Sequence, residues 1–232
     1  MGRASLCHDD AVTGRGAGRP RHGEGGRSGT GGRAQILDAA AELFIEQGYG
    51  AATTRQIADA VGVRQASIYY HFGNKQEILA ELLADTVRPS LDFSRGLDPA
   101  QAPAAVRLYA LTRFDVALLG GGRWNIGALY TMPELGAPEF AAFRQEREEL
   151  RHAYGELVAA AAAEGADAIA DHSVATSLVF ALAEGVIAMR AQRIPCPADL
   201  PDVVAASVLR LLGCEEAAIE AARTHPAVRP TP

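Results

Sequence analysis

Residues 53–75 read TTRQIADAVGVRQASIYYHFGNK, and this stretch decides the fold. Thr53 followed three places later by Gln56 is a capping box, in which two orphan backbone donors at a helix start are satisfied reciprocally. The helix it opens runs through Ile57, Ala58 and Val61 to Gly62. Two helices that cross at a tight angle need a small residue where one presses on the other, and Ala58 supplies it. The sharp turn needs a residue tolerant of positive φ, and Gly62 supplies that four places later. Ile57, Val61, Val63 and Ile68 have the spacing to lock the pair from beneath. A second short helix is predicted over about 65–72, which completes a helix-turn-helix.

The second helix of such a motif enters the major groove with its N-terminal residues on base edges. Those residues here are Arg64, Gln65, Ala66 and Ser67. Gln pairs bidentately with adenine and Arg with guanine, while small side chains touch a thymine methyl. Tyr69, Tyr70 and His71 follow, three large polar rings of which one is expected to pack inward while the others can reach base edges or phosphate oxygens. Lys75 is the only lysine beside twenty-one arginines. It falls where a fourth helix starts, capped by Asn74 with Glu77 at its third position, so it reads as a phosphate clamp beside free backbone N–H groups.

Upstream, apolar residues recur at Ile36, Leu37, Ala40, Leu43 and Phe44 with Gly48 as a stop, which predicts a first helix from Arg33. Residues 1–32 hold ten glycines and almost nothing apolar, the composition of a disordered tail. Downstream, the fourth helix runs through Ile78, Leu79, Leu82, Leu83 and Val87, and the polar stretch from Pro89 to Pro103 reads as a boundary. Val106–Leu119 is apolar on several sides and predicts a central buried helix. A short element over 124–130, a long helix over about 138–164, another over about 173–192 and a last strong one over 202–212 follow. No stretch alternates as a strand. The expected fold class is all-α. Its parts are a Gly/Arg-rich tail (1–32), a three-helix DNA-binding head (33–80), a larger helical domain (81–215) and a C-terminal tail (216–232).

Of the 232 residues 48% are apolar and 22% charged, as in soluble globular chains. The most membrane-like stretch, 174–189, is interrupted by Thr176, Ser177, Glu184 and Gly185. No secretory leader is visible, and Cys7, Cys196 and Cys214 fit neither a zinc spacing nor a disulfide framework, so a reducing cytoplasm is expected. The net charge of −6 speaks against a generic polyanion binder. Residues 1–75, however, carry nine basic and seven acidic groups, and the acidic excess lies wholly in the remainder. His152 and His172 have acids nearby (Glu148, Glu149, Asp171) but at solvated-face spacing, and no nucleophile elbow or phosphate loop is present. No enzyme activity, cofactor or metal site is expected.

Gly48-Tyr49, Thr53-Thr54-Arg55, Ile57-Ala58, Val61-Gly62-Val63 and Ser67 through Lys75 together resemble the N-terminal domain of the tetracycline-repressor (TetR) family. The resemblance covers about residues 33–80. It implies phosphate contacts for Thr53 or Thr54, His71 and Lys75, and base or groove contacts for Arg55, Gln65, Ser67, Tyr69 and Tyr70. Arg64 departs from the pattern: it stands where many members have a small capping residue, so the second helix loses a cap and gains a cation at the groove. The resemblance further implies a homodimer joined through the last two long helices, a small-molecule effector held by the middle helices, and a double-stranded operator released on effector binding. Leu178, Leu182, Val186 and Met189, with Val203, Val204, Val208 and Leu211, suit the dimer seam. Tyr109, Arg113, Phe114, Trp124, Tyr130, Phe143, Tyr154 and Phe180 are candidate effector-site residues, with Arg113 and Asp115 as polar handles inside an apolar helix. Two other readings fit the same fold: a transcriptional activator, and a helical small-molecule binding protein or enzyme whose head no longer binds DNA. The intact run from Arg64 to Lys75 argues against the last.

Overall fold

The structure, a computed structural model, describes residues 29–228. Within them the chain forms ten α-helices and four short 3-10 helices, with no strand. Helices α1 (Gly29–Glu46), α2 (Thr54–Val61) and α3 (Gln65–His71) make the head, and α4 (Lys75–Ala84) joins it to the body. The body comprises α5 (Arg88–Arg95), α6 (Ala104–Gly121), α7 (Ala141–Ala163), α8 (His172–Ala191), α9 (Leu200–Leu211) and α10 (Glu216–Thr224). Three 3-10 helices (Ile126–Thr131, Pro133–Gly136, Pro138–Phe140) fill the stretch between α6 and α7.

Local chemistry sets the head's boundaries. The Thr53 hydroxyl accepts from the Gln56 N–H at 3.2 Å and the Gln56 side chain accepts from the Thr53 N–H at 2.9 Å. Gly62 closes α2 at φ +76°, a left-handed conformation that L side chains rarely adopt. At the start of α4, Asn74 accepts from the Glu77 N–H at 2.8 Å, and the Glu77 carboxylate reaches back to the Gly73 N–H at 2.7 Å. Phe44, Ile57, Ala58, Ile68 and Phe72 form the head's core. The expected lock is only partly realised: Ile57 and Ile68 are buried, Val61 is half-buried, and Val63 is 37% exposed because the chain leaves the packed face at the Gly62 turn.

Helix α6 is the axis of the body. Most of its side chains are buried, and α5, α7, α8, α9 and α10 all pack against it. Gly127, in the first 3-10 helix, lets that backbone press on α8: a Cβ there would stand 2.5 Å from Ile187 Cδ1. By length and composition alone α8 could cross a bilayer, with mean hydropathy 1.6. Its inner face packs on α6, α7 and α9, and Glu184 in its middle pairs with Arg147 of α7 at 2.6 Å.

Three segments differ from the sequence expectation. Residues 88–95, inside the expected polar boundary, form α5, with Pro89 in the first turn, where a missing N–H costs nothing, and Ser90 and Leu91 buried. Residues 216–224, expected as part of a tail, form α10, which buries Ile219 and Ala222, and Val228 just beyond it is also buried. Helix α1 begins at Gly29 rather than Arg33. The rest of the expected N-terminal tail, residues 1–28, and residues 229–232 lie outside the described residues.

Candidate functional site

On the head, Thr54 is the hub of an exposed polar face. Its hydroxyl accepts from Gln65 Nε2 at 2.9 Å and lies 3.4 Å from the Tyr69 hydroxyl. These bonds join α2 to the first two turns of α3 and fix both side chains on the outer side. Tyr69 is 51% exposed and Tyr70 85% exposed, far more than aromatic side chains with an apolar place to go. Arg55, Arg64 and Ser67 are exposed on the same two helices and Thr53 caps α2 beside them. His71 is half-buried, with the Tyr70 ring edge-on at 5.1 Å. Arg64 occupies the N-cap of α3 without a side-chain cap bond, as its substitution for a small capping residue implies.

Lys75 is placed otherwise than expected. Its Nζ donates to the Tyr49 carbonyl at 2.7 Å and to the Ala52 carbonyl at 2.8 Å, and stands 4.2 Å from the centre of the Tyr49 ring. Desolvation lowers its pKa. The ammonium therefore closes the loop between α1 and α2 onto the start of α4. Lys75→Ala removes two charge-assisted bonds worth about 1.5–3 kcal/mol each in context. The expected result is a lower melting temperature as well as weaker binding to every DNA sequence. A variant that loses DNA affinity at unchanged melting temperature would return Lys75 to a purely phosphate-binding role.

The body's eight candidate residues do not form one site. Tyr130, Phe143, Tyr154 and Phe180 cluster between α7, α8 and the 3-10 stretch, with ring centres 5.3 Å apart for Tyr130–Phe143 and 5.5 Å for Tyr154–Phe180. The Arg147 guanidinium lies over both the Tyr130 and Phe180 rings. Tyr109 and Arg113 instead face α9, where the Tyr109 hydroxyl and Arg113 Nε reach Asp202 Oδ1 at 2.8 and 3.1 Å. Burial and the Asp202 carboxylate push the Tyr109 phenol up to about 12. Arg113 also borders a cavity of about 260 Å³ between α6 and residues 196–201, the end of the preceding loop and the first turn of α9. Phe114 stacks on Phe93 of α5 at 4.4 Å. Trp124 is not in the body's interior: its Nε1 donates to Asp38 of α1 at 2.8 Å, beside an Arg123–Asp38 ion pair at 2.8 Å. It ties head to body.

Asp115, the second polar handle, is 1% exposed and central. It accepts from Ser90 Oγ at 2.8 Å and from the Tyr154 hydroxyl at 3.1 Å. Burial raises its carboxyl to about 6, against the pull of those two hydrogen bonds. Burial likewise raises the Tyr154 and Tyr130 phenols. The Tyr130 hydroxyl lies 2.6 Å from Thr86 in the link after α4, so this cluster touches the element that carries the head. Sequence reading missed Arg147 and Glu184. Their signal was present: Arg147 falls between Phe143 and Leu150, and Glu184 four places after Phe180, so each charge interrupts an apolar helical face.

A three-helix head with an exposed recognition helix on a larger helical body defines a helix-turn-helix regulator fold. Residues 36–82 match a family profile described as "Bacterial regulatory proteins, tetR family". Over 91% of its length the chain is similar to the crystal structure of Mycobacterium smegmatis AmtR, at 46% identity and a TM-score of 0.76, and covers 100% of that chain. It shares its fold with the TetR-family transcriptional regulator PfmR from Thermus thermophilus, at 22% identity and a TM-score of 0.64, covering 78% of this chain and 99% of that one. It is also 44% identical over 64 residues to the transcriptional repressor KstR2 of Rhodococcus jostii, 28% of this chain and 30% of that protein. The chain thus spans about 30% of the length of the first curated relatives it matches. The protein belongs to the TetR family of bacterial regulatory proteins.

Proposed function

We propose that the protein is a cytoplasmic, homodimeric, sequence-specific DNA-binding repressor, released from a near-palindromic operator by a small-molecule effector. The observation that carries this reading is the exposed face in which Gln65 and Tyr69 are held by Thr54 beside a largely uncovered Tyr70. Polar side chains fixed at the start of a short solvent-facing helix suit base-edge readout in a major groove. That the relative KstR2 is a transcriptional repressor supports repression as the sign of regulation.

The dimer reading is supported by α8 and α9. Val174, Leu178 and Leu182 are 47%, 43% and 39% exposed and lie one turn apart on α8, and Val203 of α9 is 50% exposed. Met189, Val204 and Leu211 are partly buried and can join the seam. Val186 and Val208 belong to the protomer's own core, at 1% and 0% exposure, because they lie on the helix faces turned inward. The effector reading rests on the Tyr130, Phe143, Tyr154 and Phe180 cluster. There apolar rings surround Asp115 and Arg147, and Thr86 and Ser90 connect it to the link below the head. An effector acts through its differential affinity for two head separations.

Gln65→Ala tests the groove assignment. Fluorescence-anisotropy titrations on a bound duplex and its single-base variants should show discrimination relaxed at one position by ~1–3 kcal/mol. Base preferences identical to those of the wild type at every position would remove Gln65 from readout.

A further inference from the structure

The head is held to the body at two places. One is α4, which carries the chain out of the head and packs on α7 and on the first and third 3-10 helices. The other is α1, which rests against the first 3-10 helix. There the Asp38 carboxylate accepts from two consecutive residues of the segment that follows α6. Trp124 Nε1 donates to Oδ1 at 2.8 Å and the Arg123 guanidinium to Oδ2 at 2.8 Å. The same guanidinium lies over the Trp124 ring, 4.5 Å from its centre. Both carboxylate oxygens are engaged, and the half-buried indole is fixed from its edge and from its face.

On its other side this segment is fastened to the end of α8. The Arg190 guanidinium donates to the Leu119, Gly122 and Arg123 carbonyls. Asn125 Nδ2 donates to the Ile187 carbonyl at 3.0 Å, and the Gly127 backbone presses on the Ile187 side chain. Residues 122–127 therefore have little freedom relative to α8, the helix that carries the exposed Leu178 and Leu182. A continuous strap thus runs from α8 through this segment to α1. An exposed Arg–Asp pair alone adds little to stability. What the junction adds is geometry: a head held by α4 alone can turn about that helix, and a second attachment on a different helix opposes the turn.

We infer that the Asp38–Arg123–Trp124 junction fixes the orientation of each head relative to α8 and so sets the half-site spacing that the protein accepts. The inference rests on the reading of the protein as a dimer on an inverted repeat. Each base pair added between half-sites turns one against the other by about 35° and moves it by about 3.4 Å. Heads in a fixed orientation reject that displacement, and heads free to turn about α4 tolerate it. Asp38 is a positioning residue: it acts through Arg123 and Trp124, and none of the three belongs to the DNA-facing set on α2 and α3.

The experiment titrates the purified full chain with three duplexes built from the sequence it selects: the half-sites at the selected spacing, the same pair with one base pair inserted, and one half-site alone. The wild type should prefer the first over the second by ~10²-fold, part of the advantage that a second engaged head confers. In Asp38→Ala that preference should fall by about tenfold, the scale of one lost charge-assisted bond. Trp124→Phe, which keeps a ring and lacks the N–H, should lower it in the same direction. The two substitutions together should do no more than Asp38→Ala alone, because both remove the same bond. Affinity for the single half-site and the mass in solution should match those of the wild type in every variant. Trp124 is the only tryptophan in the chain, so its emission reports the junction without DNA and should shift in Asp38→Ala. An unchanged spacing preference or an unchanged emission in Asp38→Ala overturns the inference and leaves the DNA-binding reading standing. A loss on the single half-site as large as on the pair also overturns it, since Asp38 would then act within the head. A wild type with no spacing preference overturns the inference together with the dimer reading beneath it.

Discussion

Leu178→Glu combined with Leu182→Glu should yield folded monomers of 24.4 kDa in place of a dimer of twice that mass, and should abolish operator binding. Both positions are exposed in the single chain, at 43% and 39%, so the substitutions leave each protomer's core intact. In a two-fold interface each position occurs twice. Withdrawing four leucine side chains from an apolar seam costs ~1.5–3 kcal/mol apiece, or more than ~6 kcal/mol in all, about four decades in dimer dissociation constant. A monomer then engages one half-site and loses the local-concentration advantage of the second head, ~10²–10⁴ in affinity. Light scattering after size exclusion reads the mass, and circular dichroism should remain helical. A double variant that stays dimeric would move the seam off α8.

Asp115→Asn should stabilise the protein at pH 8 and do progressively less toward pH 4. The carboxyl ionises near 6 in the fold and near 3.8 when unfolded. Between those values the folded state holds the proton that the unfolded state has released, so stability falls as pH rises through this window and stays reduced above it. A shift of about two units corresponds to ~3 kcal/mol at most, which for a chain of this size is roughly 6–12 °C in melting temperature. Asparagine keeps an acceptor for the Ser90 hydroxyl and carries no charge to desolvate. Thermal melts of both proteins from pH 4 to pH 8 provide the measurement. A gap that is constant across the range would mean Asp115 stays in one protonation state throughout.

The head was legible in the sequence because its determinants are local. Thr53 and Gln56, Gly62, and Asn74 with Glu77 each act within three or four residues, and each makes its expected bond or backbone angle. Which of the three rings after Ile68 turns inward was not legible: the structure half-buries His71 and exposes Tyr69 and Tyr70. The body's elements were legible where an apolar face extends over several turns, as in α6, α7 and α8. Helices α5 and α10 were not, since each has only two or three turns and is anchored by a pair of buried residues, Ser90 with Leu91 and Ile219 with Ala222. Long-range partners were beyond local reading. Nothing near Trp124 announces Asp38, eighty-six positions away, and nothing near Lys75 announces the Tyr49 and Ala52 carbonyls. The same blindness merged side chains from four separate places into one expected effector site.

The central claim is that this face of the head reads DNA in pairs. The most direct measurement is selection of bound duplexes from a random pool by the purified full chain, followed by sequencing. The account predicts enrichment of an inverted repeat whose half-site centres lie ~34–36 Å apart or a multiple of that, with affinity falling steeply as salt is raised. No enriched sequence at low salt, from protein shown to be folded, would contradict it.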